Sequence, residues 1–311
     1  MVLSFLAMGL LRQRTAPSQA EFSPKVLQRL GLRRQRVVAP PINRSWVKTA
    51  PKTPSLGSLK NLPKFFLMNS ELVSNIDKAG LTLESQGDRG TCTIFATKFL
   101  VEYELARQSN FTKAYRLNPE YLNWAANAAT KTSDDGSSFP AVVDGLDQYG
   151  CSNWSDPKVY GGLIPDFDAA YKPSNAIIEK AKLIRKDVGL FQIFTHQTPV
   201  LSNDELDMIT GLLDAKIPVA VGQQWPSSGA WKTTEVDGYK LSDGTGPVQG
   251  AHTMAIVGYR KTPKAPGGGY FLFHNSWGTG GDYDGYLFMS FDWVRNHTYD
   301  GCIALPTDWK F

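Results

Sequence analysis

Residues 92–107 read CTIFATKFLVEYELAR, and apolar side chains fall on nearly every face of the helix this run forms. A helix that is apolar all round is a buried helix, so the rest of the chain must enclose it. With 311 residues there is ample material for that core, as one large domain or two small ones. Lys98 and Glu102 are four apart and are expected to pair on the helix's one wet strip.

The pattern changes along the chain. A second helix is expected at 140–149, with Pro140 in its first turn and Gly150 as its stop. A third begins after Ser202 and Asn203, carries Asp204 and Glu205 in its first turn, and ends near Ala215. Strands follow at 217–221, 251–259, 270–275 and 286–290, separated by Gly- and Pro-rich loops. The first part reads as helical and the second as antiparallel β. This is an α+β chain with a cleft where its two layers meet.

The first sixty residues differ from the rest. They hold eleven Lys/Arg against Glu21 alone, a net +10, whereas residues 61–311 sum to −6. Prolines 17, 24, 40, 41, 51 and 54 interrupt them, leaving room for one short helix at 25–32. Residues 1–60 thus form a basic extension, able to dock on the acidic domain or to act as a tail for an anionic surface. The charge asymmetry favours the docked pro-segment, and no nucleic-acid partner is expected. The apolar start MVLSFLAMGLL, followed by SQA at 18–20, is a signal-peptide candidate and leans the expectation toward secretion or the cell envelope. No apolar run reaches the ~18 residues of a spanning helix.

Only three cysteines are present, Cys92, Cys151 and Cys302, without CxxC or zinc spacing. A disulfide framework and a structural metal are therefore not expected; a single Cys151–Cys302 bridge stays open, and buried free thiols are the favoured reading for both. Cys92 stands at the head of the buried helix, where the positive end of the helix dipole favours thiolate. Folding the chain back about the loop 261–269 sets His252 opposite Asn275, with Trp277 on the following turn. A histidine beside a thiolate can carry protons, and an asparagine amide can hold its tautomer. Gln86 lies six residues before Cys92 on a glycine-bracketed turn. Its amide and the Cys92 N–H could form an oxyanion hole.

These residues carry a resemblance. QGDRGTCTIFA (86–96) resembles the nucleophile segment of papain-like cysteine peptidases, GAHTMAIVGY (250–259) their histidine strand, and FHNSWGTGGDYDGYLF (273–288) their asparagine motif. The order Cys, His, Asn matches, with intervals of 160 and 23 residues. The resemblance covers roughly residues 62–305. It implies a papain-like fold: a helical subdomain over about 85–165, an antiparallel β-barrel-like subdomain over about 166–305, and the active site in the cleft between. With the extension at 1–60, this makes a peptidase domain of 61–311. It also implies Cys92 as nucleophile, His252 as base and then acid, Asn275 as orienter, Gln86 as oxyanion donor and Trp277 as a shield. Gly90, Gly136 and Ser137 are implied to meet substrate backbone, and Ala251 and Thr253 to flank the specificity pocket. The substrate is then a peptide or protein, cleaved as by an endopeptidase, with no cofactor and no metal. Arg89 stands where the family commonly has a disulfide cysteine, so the usual disulfides are not expected, as in a bacterial branch of the family.

Blander roles are expected for the remaining polar residues. His274 should point away from Asn275 and pack. His196 and His297 show no partner in the sequence, and Glu84 reads as a surface charge. Acyl transfer or amidase chemistry with the same machinery, or a silent peptide-binding homologue, are the alternatives to a peptidase.

Overall fold

The computed structural model describes residues 70–81, 83–156, 160–161, 171–226, 231–244, 247–279 and 283–307. The basic extension, its expected helix and the signal-peptide candidate lie outside the described residues. Helices α1 (Ser70–Lys78), α2 (Cys92–Gln108), α3 (Pro119–Thr130), α4 (Phe139–Tyr149) and α5 (Asn175–Ala181) precede strand β1 (Val188–Thr195). Next come α6 (Asn203–Asp214), β2 (Val219–Pro226), β3 (Trp231–Val236), β4 (Tyr239–Gly244) and β5 (Val248–Lys261). The chain continues through β6 (Gly269–His274), β7 (Tyr286–Ser290), α7 (Phe291–His297) and β8 (Thr298–Pro306).

Local chemistry explains the boundaries. Asn118 caps α3 by accepting from the backbone N–H of Glu120 and Tyr121, and Pro119 opens the helix. Ser202 and Glu205 form a reciprocal capping box at α6, as the Ser–x–x–Glu spacing requires. Gly150 ends α4 with φ 72°. The expected strands appear as β2, β5, β6 and β7, with β2 and β5 longer than expected and β6 shifted by one residue. Helices α1, α3, α5 and α7 and strands β1, β3, β4 and β8 lie outside the expected elements.

The eight strands form one sheet in the order β1-β8-β2-β5-β6-β7-β4-β3. Pairing is antiparallel except between β4 and β7, which meet in parallel at Leu241 and Phe288. The sheet stays open at β1 and β3 rather than closing into a barrel. Helix α2 is enclosed as its composition demands, with every residue from Thr93 to Ala106 buried. It packs on β5, β8, β1 and β2, and on α3 and α4. Each fully buried Leu, Val or Phe on it contributes roughly 1.5–3 kcal/mol of transfer free energy.

The strip expected to be wet is also enclosed. Lys98 does pair with Glu102 at 2.7 Å, but both are buried, and Glu84 joins from the other side at 2.8 Å. Glu84 is therefore no bland surface charge. It also takes Arg116 at 3.2 Å, bridging the loop before Cys92 to the helical layer. Cations on a buried helix survive only when paired, and here one ammonium serves two carboxylates.

Candidate active site

Four segments converge at the N-terminus of α2. The first is the loop 84–91. Ser85 bridges Trp277, the Gln86 N–H donates to Ser276 O at 2.8 Å, and the Gly278 N–H donates to Glu84 O at 3.0 Å. The segment before Cys92 is thus zipped to the segment that follows Asn275. The second contact is a parallel bridge between Gly90 and Gly136. Gly136 has φ 144°, and a Cβ there would stand 2.5 Å from Gly90 O, so only glycine fits. Ser137 follows on the same half-buried loop.

His252 comes from β5 and Asn275 from the end of β6. Their register departs from the simple fold-back. His274, the last residue of β6, pairs with Ala255, three residues short of His252, so His252 has no direct partner on β6 and pairs with Gln223 of β2. The contact survives because Asn275 leaves the strand and its side chain reaches back: His252 Nε2 lies 2.7 Å from Asn275 Oδ1. The same oxygen accepts the Ser276 N–H at 2.8 Å, which fixes it as the amide's acceptor. The imidazole must then donate from Nε2, leaving Nδ1 for the thiol.

The half-buried Cys92 thiol hydrogen-bonds the His252 side chain and touches the backbone and hydroxyl of Thr253. Burial alone would raise the thiol, but the hydrogen bond and charge of His252, aided by Thr253, outweigh it and draw it down to about 7. Thr253 is itself buried and tied to Thr93 of α2 through hydroxyls 2.9 Å apart, while Ala251 is half-buried on the other side of His252. Cys151 and Cys302 are free and buried; burial pushes the former to about 12 and the latter higher still. Only one of the three thiols is electrostatically prepared to ionise.

Trp277 stacks on the His252 ring at 4.6 Å and 23°, covering the His252–Asn275 bond. Trp225 of β2 stands edge-on to both rings, 4.9 Å from His252 and 5.4 Å from Trp277. No sequence signal marked Trp225, because its place beside His252 follows from the β2–β5 register. Gln86 is buried and held from both ends: Ser276 Oγ donates to its Oε1 at 2.6 Å, and its Nε2 donates to Arg89 O at 2.7 Å. One amide hydrogen of Gln86 is thereby left without a partner among the described residues. The Cys92 N–H is likewise unbonded there, since α2 begins without a side-chain cap.

Asp300 was also missed. It pairs with Gly222, which pairs with Thr253, so the three share one row across β8, β2 and β5. Its carboxylate leans over Gly222, where a Cβ would meet it. Burial pushes it to about 7, an effect the Gly222 N–H offsets and the Cys92 thiolate reinforces. The other histidines are structural. His274 is buried and stacks on Phe99 at 4.1 Å, and His297 stacks on Trp293 at 3.6 Å. His196 does have a partner, contrary to expectation: its Nε2 lies 2.8 Å from Glu205 Oε1.

The family model for papain family cysteine proteases matches residues 78–300. The chain belongs to the papain family of cysteine proteases. It is a thiol protease, a hydrolase acting on peptide or protein substrates. Among solved structures, it is similar to xylellain, a cysteine protease from Xylella fastidiosa, with 14% identity and a TM-score of 0.55 over 85% of this chain and 98% of that one. It is also similar to the clostridial cysteine protease Cwp84, with 18% identity and a TM-score of 0.52 over 75% of this chain and 58% of that one. At these identities the likeness concerns the fold. No curated protein matches by sequence. No described helix is long and apolar enough to cross a membrane.

Proposed function

We propose that this papain-family protease cleaves peptide bonds through a thioester formed on Cys92. The observation that carries the reading is the chain of contacts Cys92–His252–Asn275, with 2.7 Å between the imidazole and the amide oxygen and a thiol drawn to about 7. The Cys92 thiol, drawn down to about 7, passes its proton to His252 Nδ1. The Cys92 sulfur attacks the scissile carbonyl carbon, and the carbonyl π pair moves to oxygen. That oxyanion is met by the Cys92 N–H and the free amide hydrogen of Gln86. Collapse breaks the C–N bond while His252 Nδ1–H gives its proton to the leaving amine. Water then attacks the thioester and gives a proton to Nδ1. A second oxyanion collapses, and the C–S bond breaks to release the acid and restore the thiolate. Asn275 holds the ring throughout, and Trp277 keeps water from the 2.7 Å bond. Gly90 and Gly136, bridged at the cleft's edge, present backbone to an extended substrate, with Ser137 beside them. Ala251 and Thr253 flank the specificity pocket.

The test is cleavage of fluorogenic peptides under reductant, with titration by a thiol-directed epoxide. Stoichiometric loss of activity on labelling Cys92 supports the reading. A protein that neither cleaves nor labels refutes it.

The ion pair also sets a pH dependence. Alkylation of Cys92 by iodoacetamide is expected to rise with a midpoint near 7, because the thiol is drawn down to about 7. Cys151 and Cys302, buried and pushed upward, should stay unlabelled in the native protein. A Cys92 midpoint at the ordinary thiol value of roughly 8.5 would remove His252 from the nucleophile's activation.

The basic extension enters as a pro-segment. Its net +10 faces a remainder of −6, a pairing that favours docking over the cleft. A chain beginning at Leu62 is therefore expected to cleave peptides several-fold faster than the full chain, most clearly at low salt. Equal rates would show that residues 1–60 do not inhibit.

A further inference from the structure

Between Gln86 and Cys92 the chain carries a buried arginine, and its surroundings exceed what folding the loop requires. The Arg89 guanidinium reaches two carboxylates on two different segments. Its Nε and Nη2 form a fork onto Asp135 at 3.0 and 2.7 Å, and its Nη1 meets Glu120 of α3 at 2.6 Å. Nη1 also reaches Gly161 O at 3.4 Å, and the guanidinium lies over the Tyr160 ring at 4.4 Å. Asp135 immediately precedes Gly136, so the fork sits beside the Gly90–Gly136 bridge and locks the same two loops a second time.

The two ends of the loop are fixed through the same group of residues. Tyr160 has one hydroxyl proton, and it goes to Gln86 O at 2.7 Å. Its 2.6 Å contact with Thr91 Oγ1 is therefore one in which Thr91 donates. Burial raises the Tyr160 phenol, which keeps that proton in place. The Arg89 carbonyl accepts Gln86 Nε2, so the backbone of the clamped residue aims the Gln86 amide.

We propose that Arg89 is a positioning residue for the oxyanion hole: its forked ion pair with Asp135 and Glu120, and its stack on Tyr160, hold the carbonyl that orients Gln86. The proposal rests on the reading of Gln86 as the oxyanion donor. Arg89 touches neither thiol nor imidazole in this arrangement, so its loss should slow the steps that build negative charge on the substrate oxygen and leave the Cys92–His252 ion pair alone.

A double-mutant cycle tests it. Arg89→Met strands the fully buried Glu120 and puts folding at risk, so the principal variant is Asp135→Asn, which weakens the fork and leaves Arg89 paired to Glu120. Asp135→Asn is expected to lower kcat by roughly 10-fold or more with KM changed less than about 3-fold, since a small misplacement of a transition-state donor costs about that much. The iodoacetamide pH profile of Cys92 should not move. In a Gln86→Ala background the same substitution should cost less than about 2-fold, because the group it aims is gone. Arg89→Lys should recover only part of the wild-type kcat, as an ammonium cannot form the fork. An equal loss in both backgrounds, or an upward shift of the alkylation midpoint, would overturn the positioning role and leave the oxyanion reading standing. A Gln86→Ala enzyme with wild-type kcat would overturn both.

Discussion

His252→Ala is expected to lower kcat/KM by roughly 10³-fold or more and to slow alkylation of Cys92 at neutral pH. Two roles are lost together. The imidazole carries the proton to the leaving amine, a contribution of about 10² to 10⁴ on its own. It also holds the thiol down. Burial raises the Cys92 thiol, and His252 provides the largest opposing influences through its hydrogen bond and its charge. Without the ring, burial prevails and the thiol should titrate above its ordinary value. The alkylation midpoint is thus expected to move from near 7 to above roughly 8.5. The variant should stay folded, because a partly polar ring at the cleft is replaced by a smaller apolar group. Matched circular dichroism and urea midpoints would check this. A variant that loses cleavage but keeps a midpoint near 7 would separate proton transfer from thiol activation and assign the second to Thr253 or to the α2 terminus. A variant that keeps cleavage would refute the triad.

The contrast between Asn275 and Arg89 shows how far the sequence alone could go. The residues proposed as catalytic sit in short segments whose local pattern is visible: a glycine-bracketed turn before a buried helix, a histidine on an apolar strand, an asparagine at a strand end. Hairpin closure put His252 and Asn275 at the same end of β5 and β6. It missed the register, since the loop closes with Lys261 opposite Gly269, a pairing that a Gly- and Pro-rich loop does not reveal. Arg89 is different. Read locally it is a charge in a polar loop, yet it is buried with partners 31 and 46 residues downstream. Nothing within one helical turn or one strand of Arg89 predicts Glu120 or Asp135. Trp225, Tyr160 and Asp300 were invisible for the same reason. The structure holds Cys92, Cys151 and Cys302 as free thiols, and an ion pair stands at the position where the family resemblance implies a disulfide cysteine. The reductant that keeps the Cys92 thiolate active therefore threatens no cross-link in the described residues.

The Lys98 cluster gives the largest expected effect on stability. One ammonium, almost fully buried, holds Glu84 at 2.8 Å and Glu102 at 2.7 Å beneath the catalytic segment. Removing one partner of a buried ion pair leaves an uncompensated charge, so Lys98→Met is expected to cost about 3–5 kcal/mol near pH 8. The sign of the pH dependence follows from Glu102. Burial pushes its carboxyl up to about 7; Lys98 and the Leu117 N–H, which Glu102 accepts at 2.6 Å, limit the rise, and the Glu84 charge adds to it. In the unfolded chain the group titrates near 4.3. Between those values the folded state binds more protons than the unfolded one, so this contribution to stability falls as pH rises from about 4.3 to 7 and is flat beyond. Asp300, also raised to about 7, acts in the same direction. Without Lys98 the Glu102 carboxyl rises further and takes up a proton more readily. The penalty of Lys98→Met should therefore be smaller at pH 5 than at pH 8. Urea midpoints of both proteins at the two pH values measure this. A penalty that is the same at pH 5 and pH 8 would mean that Glu102 stays ionised without its ammonium, and the electrostatic account of this cluster would fail.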